Sequence, residues 1–390
     1  MSRQFAWAYL SRCLEGPNRD LQQVLAAGHD VEDIVSAIKN REGWLGEGLL
    51  RATESRFAID QAQQDLEQIE RIGGRLITPE DAEWPAEQFT QAFGFAASGM
   101  SDSARSVQED AVPPHALWVK GSNLRETVMQ AVTVVGTRAV SPYGRDATRS
   151  LVRGLVAHQW TIVSGGALGI DAVAHQTALE SGGRTVVVAA CGLDRNYPTA
   201  HKTLFEEVAN RGTLVSEYPP GVTPARHRFL TRNRLAAALS SGTVVVEAAW
   251  RSGALNTLTW AEGLGKVTMA VPGPITSAGS LGCHDRIRTG RAQLVVSADE
   301  VRQLLSAVGE VDVEAQYEML FAANDIQALS RNEMRVFDAL SDRPQSAEEV
   351  ASLAGMTVSL TVHILVDLIK RGLVEREGAH FRRAELEKHN

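Results

Sequence analysis

Apolar positions recur at helical spacing through residues 5–14, 21–26, 31–39 and 49–72, so the first 75 residues predict helices alone. Gly73-Gly74 stops the last and longest of these helices. Residues 95–110 are rich in Ser, Ala, Gly and Asp with little period, which predicts a flexible connector or insertion within 76–114. Pro113-Pro114 then precedes a short strand at 116–120. From there β-branched runs at 131–135, 161–164, 185–190, 213–216, 243–247 and 267–271 alternate with helical stretches that begin near Tyr143, Ile170, Thr199, Thr231 and Ala254. Near-continuous Val and Ile strands separated by helices predict a mainly parallel sheet covered on both faces, over residues 115–300. The expected class is therefore α/β, a doubly wound sheet whose ligands bind beyond the carboxyl ends of the strands.

The pattern changes again after residue 300. An acidic, helix-rich connector (301–326) leads to a small module at 327–390, with helices at 329–340, 346–353 and 358–370 and a hairpin at 373–382. Ser346 with Glu349 forms a capping box, and Gly355 supplies the turn between the second and third helices. This is the order of a winged helix-turn-helix.

Composition adds limits. The 390 residues suit two or three domains. Nowhere do eighteen apolar residues run uninterrupted, and no charged start leads into an apolar run, so neither a membrane span nor a signal peptide is predicted and the cytoplasm is the expected location. Cys13, Cys191 and Cys283 are few, odd in number and far apart, which argues against a disulfide framework or a zinc site. No metal and no cofactor is expected. Net charge is −8, which at first argues against a nucleic-acid partner. Residues 221–291, however, carry nine Lys or Arg against three acids, a local basic region suited to steering a polyanion.

Candidate chemistry gathers where strands end. The strand 131–135 runs into Gly136-Thr137-Arg138: glycine permits close backbone approach, and a hydroxyl and a guanidinium can hold phosphate. A tight turn with a surface arginine is the plainer alternative. Ser164 leads into Gly165-Gly166-Ala167-Leu168-Gly169-Ile170-Asp171, whose exposed N–H groups ahead of a helix favour an anion, although plain helix–sheet packing explains the same glycines. The spacing matches neither a Walker loop nor the dinucleotide fingerprint. The segment Arg226-His227-Arg228-Phe229-Leu230-Thr231-Arg232-Asn233-Arg234 sets four arginines around an aromatic residue just before the helix-forming run 235–239. Phosphates on the arginines and a base stacked on Phe229 fit a groove for single strands. Arg251-Ser252-Gly253 forms a third turn of this kind, and Lys202 and Lys266 add charge. Glu247 has no partner at useful spacing and is expected to orient an arginine or a helix; His175, four residues after Asp171, is expected to be structural. No nucleophile elbow, metal cluster or kinase set occurs.

In that order these segments resemble the DNA-processing protein A (DprA/Smf) family. The motifs are Gly136-Thr137-Arg138 with Tyr143-Gly144, Ser164-Gly165 through Gly169-Ile170-Asp171 with Ala174-His175, Cys191-Gly192-Leu193-Asp194 with Tyr197-Pro198, Phe229 with Arg232-Asn233-Arg234, Val245-Val246-Glu247-Ala248, Ser252-Gly253-Ala254-Leu255 and Val271-Pro272-Gly273. The resemblance implies an extended Rossmann-like domain that binds single-stranded DNA, dimerises, and helps load the RecA recombinase during natural transformation. It also implies a helical (SAM-like) N-terminal domain over 1–75 and a C-terminal winged-helix-like domain; with no catalytic set in the sequence, no enzymatic activity is expected. By motif, DNA contacts fall on Arg138, the Gly165 loop, Phe229 and Arg232 to Arg234. Leu168 stands where the family usually has Arg, so one positive charge is missing, and the grip is expected to rest more on Arg232 and Arg234. The alternative is a nucleotide sensor or a phosphoribohydrolase-type enzyme, but the Pro-Gly-Gly-x-Gly-Thr motif of the latter is absent. The C-terminal module is expected to contact a partner protein, because its third helix offers little beyond Thr361 and His363 before Lys370-Arg371.

Overall fold

In the computed structural model, which describes residues 2–100, 110–306, 326 and 329–384, the β-branched runs become the strands of one sheet. The strands are β1 (Gly74–Ile77), β2 (Leu117–Gly121), β3 (Ala131–Val135), β4 (Thr161–Ser164), β5 (Thr185–Val188), β6 (Thr213–Ser216), β7 (Gly242–Val245), β8 (Val267–Ala270) and β9 (Gln293–Leu294). They pair in the order β1-β2-β6-β5-β4-β3-β7-β8-β9. From β6 to β9 all neighbours are parallel, while β2 is antiparallel to both β1 and β6. Every residue of β3, β4 and β5 is buried, as expected of strands covered on both faces.

The chain runs outward from β3 through β4 and β5 to β6, then returns to β7 on the other side of β3. The strand order therefore reverses between β3 and β7, and the crevice beyond their carboxyl ends is where such a sheet takes a ligand.

The helices are α1 (Arg3–Cys13), α2 (Arg19–Ala26), α3 (Val31–Asn40), α4 (Gly46–Thr53), α5 (Ala62–Arg71), α6 (Ala86–Ala97), α7 (Leu124–Val128), α8 (Pro142–Ala157), α9 (Ile170–Glu180), α10 (Lys202–Arg211), α11 (Arg226–Ala238), α12 (Ala254–Gly263), α13 (Leu281–Arg288) and α14 (Ala298–Leu305). Several sequence expectations need correction. The run 49–72 is two helices, α4 and α5, separated by residues 54–61. Gly73-Gly74 does not merely end a helix; Gly74 opens β1, which pairs with β2. The stretch 76–114 is more than a connector, because Phe89, Ala92 and Phe93 of α6 pack into one core with Leu235 to Leu239; residues 101–109 of the expected linker lie outside the described residues. Finally α11 begins at Arg226, so the arginine-rich segment lies within the helix rather than ahead of it.

The N-terminal helices do not form a core of their own. Tyr9, Leu10, Leu21, Ile34 and Leu49 share one apolar cluster with Trp118 of β2, Leu204, Phe205 and Val208 of α10, and Leu214 of β6. The chain divides into two compact units, 1–311 and 312–390, and the first contains both the helices and the sheet. A separate 1–75 domain is thus replaced by a helical layer that covers one flank of the sheet.

Of the acidic connector, residues 301–306 and 326 are described, and α14 runs into its first part. In the second unit α15 (Arg331–Ala339), β10 (Gln345–Ser346), α16 (Ala347–Ala354), α17 (Val358–Lys370), β11 (Val374–Glu377) and β12 (His380–Arg383) follow in turn, with sheet order β10-β12-β11. Ser346 and Glu349 complete the expected capping box, and Gly355 ends α16 with φ of 63°. A second box, Ser330 with Glu333, starts α15. No single helix among the described residues is long and apolar enough to cross a membrane.

Candidate nucleic-acid interface

A cleft of about 630 Å³ opens beyond the carboxyl ends of β3, β4, β5, β6 and β7. Its walls come from five separate loops, and each is shaped by a local requirement. After β3, a Cβ on Gly136 would lie 2.8 Å from the Cβ of Ile170, so only glycine lets the chain turn against the start of α9. The Thr137 N–H donates to the Glu247 carbonyl at 2.7 Å, and the Ile170 N–H donates to the Thr137 carbonyl at 3.1 Å. The β3–α8 loop is thereby fastened on both sides, and Arg138 projects from it exposed to solvent.

The glycines after β4 serve packing within the protein. Gly166 has φ of 72° and leaves room for Phe205 and Val187, each about 3.0 Å from where its Cβ would be. Gly165 leaves room for the Arg232 guanidinium. That guanidinium is buried beneath the Gly165 turn, and its Nη1 donates to the Val188 carbonyl at 2.6 Å. Burial lowers the pKa of Arg232, against the opposing pull of the buried Asp171 carboxylate, whose own pKa burial raises. Asp171 in turn accepts from the Ala167 N–H at 3.2 Å, which fixes the glycine turn. A guanidinium is thus built into the cleft floor beside a buried carboxylate.

Three helices start near the cleft on residues that offer no side-chain cap, although the Ser252 hydroxyl accepts from the Ala254 N–H of α12 at 3.3 Å and the Ile170 N–H of α9 is taken by the Thr137 carbonyl. The N-caps are Gly169 for α9, Ala225 for α11 and Gly253 for α12, and none supplies a hydrogen bond to its helix. The start of α11, with no cap and no acid in its first turn, is the helix end that favours an anion there. By contrast, Ser141 caps α8 with its hydroxyl, accepting from the Gly144 N–H at 3.0 Å. Over this floor stands an aromatic pair: the Tyr197 and Phe229 ring centroids are 5.5 Å apart. The Arg138 guanidinium carbon lies 5.8 Å from the Phe229 centroid, within cation–π range. Arg226 and the exposed Leu230 complete the rim.

The structure therefore brings Gly136, Arg138, Gly165, Arg226, Phe229, Arg232, Asn233, Ser252 and Gly253 to one cleft. Other expected contacts fall elsewhere. Arg234 is fully buried and donates to Glu217 at 2.5 Å, with the Phe93 ring 5.5 Å from its guanidinium carbon. It points through the helix, away from the cleft, because two residues along a helix turn a side chain by about 200°. Arg228 donates to the Thr223 carbonyl and forks onto Glu15 at 2.9 Å. The Ser164 hydroxyl is buried and donates to the Val134 carbonyl at 2.6 Å. Lys266 precedes β8 and so sits at the opposite, amino edge of the sheet. Lys202, 4.0 Å from Glu206, and the exposed Arg251 lie outside the lining, as do Thr137, Gly166, Gly169 and the exposed Leu168. Tyr197 was missed as a site residue, although an aromatic residue beyond the end of β5 is a readable signal.

The enzymatic candidates have structural partners. One Glu247 carboxylate oxygen accepts from the Ser141 N–H at 3.0 Å at the start of α8, so it orients a helix. His175 Nδ1 pairs with the Thr185 hydroxyl at 2.7 Å, and burial holds the ring neutral with its pKa pushed down to about 3. Among the described residues no group of three or more His, Cys, Asp or Glu is placed to hold a metal.

The N-terminal helices buttress the segment that carries the cleft wall. Arg12 holds Asp65 at 2.6 Å and also donates to the Pro220 carbonyl at 2.6 Å. The Gly221 N–H donates to Asp194 at 2.8 Å, which also accepts from Gln68 at 3.1 Å. With Glu15 on Arg228, the stretch from Pro220 to Arg228 is tied at three points to α1, α5 and the loop beyond α1.

Comparison with known proteins agrees with this architecture. Residues 75–306 match the family described as DNA recombination-mediator protein A. A Mycobacterium tuberculosis relative named DNA processing protein DprA is 44% identical over 376 residues, covering 96% of this chain and 92% of its own. The DNA processing protein DprA of Streptococcus pneumoniae is 42% identical over 188 residues, 48% of this chain and 66% of its own. Its X-ray structure superposes with a TM-score of 0.62 at 30% identity, covering 78% of this chain and 99% of that one.

Proposed function

From the premise that this chain belongs to the DNA recombination-mediator protein A family, we propose that it binds single-stranded DNA in the cleft, without sequence preference and without doing chemistry on it. The observation that carries this reading is the Tyr197–Phe229 pair beside Arg138, above the uncapped start of α11 and the buried Arg232. Every base has a π-face, so stacking on such a platform tolerates any sequence. Phosphates, which every sequence also shares, suit Arg138, Arg226 and the start of α11. A duplex hides its base faces and is a poor fit to an aromatic platform.

The role in the cell is the one that the family resemblance implies. The protein covers incoming single strands in the cytoplasm, works as a homodimer, and delivers the strand to RecA during recombination and natural transformation. The second unit reads as a winged-helix-like module that contacts protein: α17 exposes Val358, Leu360, Val362 and Val366 and carries few cations. Deletion of residues 327–390 is expected to leave single-strand affinity intact.

The test is a parallel titration of single-stranded DNA, duplex and nucleoside monophosphates across salt concentration. Steeply salt-dependent binding that prefers the single strand is expected. Release of free base from the monophosphates, or salt-insensitive binding, refutes the reading. Light scattering tests the dimer, and capture of RecA with and without bound DNA tests the delivery step.

A further inference from the structure

The helix α8 leaves the carboxyl edge of the sheet just after the loop that carries Arg138, and it bears Arg145, Arg149 and Arg153 at every fourth position. Four residues advance a helix by about 6 Å, so the three cations form a row about 12 Å long along one flank. The buried face, formed by Gly144, Thr148, Leu151, Val152, Leu155 and Val156, adjoins this row, so that Arg145 and Arg153 are exposed and Arg149 is half-buried. Arg149 and Arg153 border a shallow depression of about 370 Å³ with Asp146 and Ser150.

None of these three arginines has an ion pair among the described residues. Arg211, Arg288 and Arg302, on other helices, are each paired with an acid three or four residues away. Asp146, the acid on the same surface, pairs with none of the three. Like charges at four-residue spacing destabilise a helix by a few tenths of a kcal/mol per pair, so stability gives no reason for the row. A row of cations that reach the surface with no acid partner is one a phosphate backbone takes.

We propose that Arg145, Arg149 and Arg153 form a second strand-binding surface, which holds the phosphates of a single strand as it leaves the cleft past Arg138. The protein then occupies more nucleotides than the cleft alone accommodates. This inference rests on the single-strand reading of the cleft.

The test compares a six-nucleotide and a twenty-five-nucleotide oligothymidylate on the full chain. In the triple variant Arg145→Gln, Arg149→Gln, Arg153→Gln, affinity for the short strand should stay at the wild-type level. For the long strand, the slope of log K against log salt should fall by about 2, since each phosphate contact on a single strand contributes about 0.7. Between 50 and 200 mM salt, wild-type affinity for the long strand should then drop about 16-fold more than that of the variant. Asp146→Lys should act in the opposite sense and steepen the long-strand slope. Unchanged long-strand slopes in both variants, or an equal loss on short and long strands in a folded triple variant, overturn the second surface while leaving the cleft reading standing. If the wild type binds neither oligonucleotide, the cleft reading itself fails and this inference with it.

Discussion

Arg234 sits two residues from Arg232 in a run of arginines, yet the structure makes it a core residue, and replacing it separates the two roles. Arg234→Met leaves the Glu217 carboxylate, 5% exposed, without the guanidinium that reaches it at 2.5 Å. Breaking a buried ion pair by removing one partner costs about 3–5 kcal/mol, because the remaining charge is stranded. At about 2–4 °C per kcal/mol for a unit of this size, the melting temperature should fall by roughly 6–20 °C. The loss should depend on pH. Burial already raises the Glu217 pKa, and Arg234 opposes that rise, so the variant raises it further. A carboxyl raised in the folded state contributes stability that is present below its unfolded value near 4.5 and is lost as pH rises through the folded value. The deficit of the variant should therefore be larger at pH 8 than at pH 5. Adding Glu217→Leu removes the stranded charge and should restore much of the loss. Thermal unfolding by circular dichroism at several pH values reads all three effects, with single-strand titration below the transition as the companion assay. A variant that melts with the wild type but has lost DNA affinity refutes the assignment and returns Arg234 to the interface.

Four further outcomes are expected. Phe229→Ala should weaken single-strand binding by about 5- to 150-fold, the range for losing one stacked base, with Tyr197→Ala in the same direction; fluorescence anisotropy on several sequences should find the loss uniform. Arg138→Gln should lower the salt slope on single strands by about 0.7, and an unchanged slope would remove Arg138 from the phosphate path. Glu15→Gln frees Arg228 and loosens the wall of the cleft, so affinity should fall several-fold, although deleting an acid near bound DNA would by charge alone raise it; a rise refutes the buttress. His115 and His175 are held neutral by burial, with pKa values pushed down to about 4 and about 3, so each contributes stability that is present above the unfolded value of 6.5 and is lost as pH falls toward the folded value. Urea unfolding at pH 7 and pH 5 should find the wild-type decline reduced in His115→Gln, and an equal decline would indicate that the ring is protonated in the folded state.

Period and composition identified the sheet because fully buried parallel strands must be apolar on both faces, so runs such as Ala131–Val135 admit little besides Val, Ile, Ala and Thr. The glycine turns were equally legible, since a strand that turns at once into a helix leaves no room for a side chain. The sequence also marked the Arg226–Arg234 segment as charged and aromatic. It did not mark which arginines face the ligand, because a charge pattern on a helix is read against neighbours that come from elsewhere. Glu217 arrives from the end of β6 and Phe93 from α6 to enclose Arg234. Glu15 arrives from the end of α1 to hold Arg228, and the Gly165 turn and Asp171 place Arg232 in the floor. The short strands β1 and β9 escaped notice for a related reason. They have four and two residues, and partner strands rather than their own periodicity make them strands. Local sequence determined the elements and their turns, through sterics and burial that act within a few residues. The tertiary structure alone decided which charges meet solvent, because desolvation and pairing depend on residues distant along the chain.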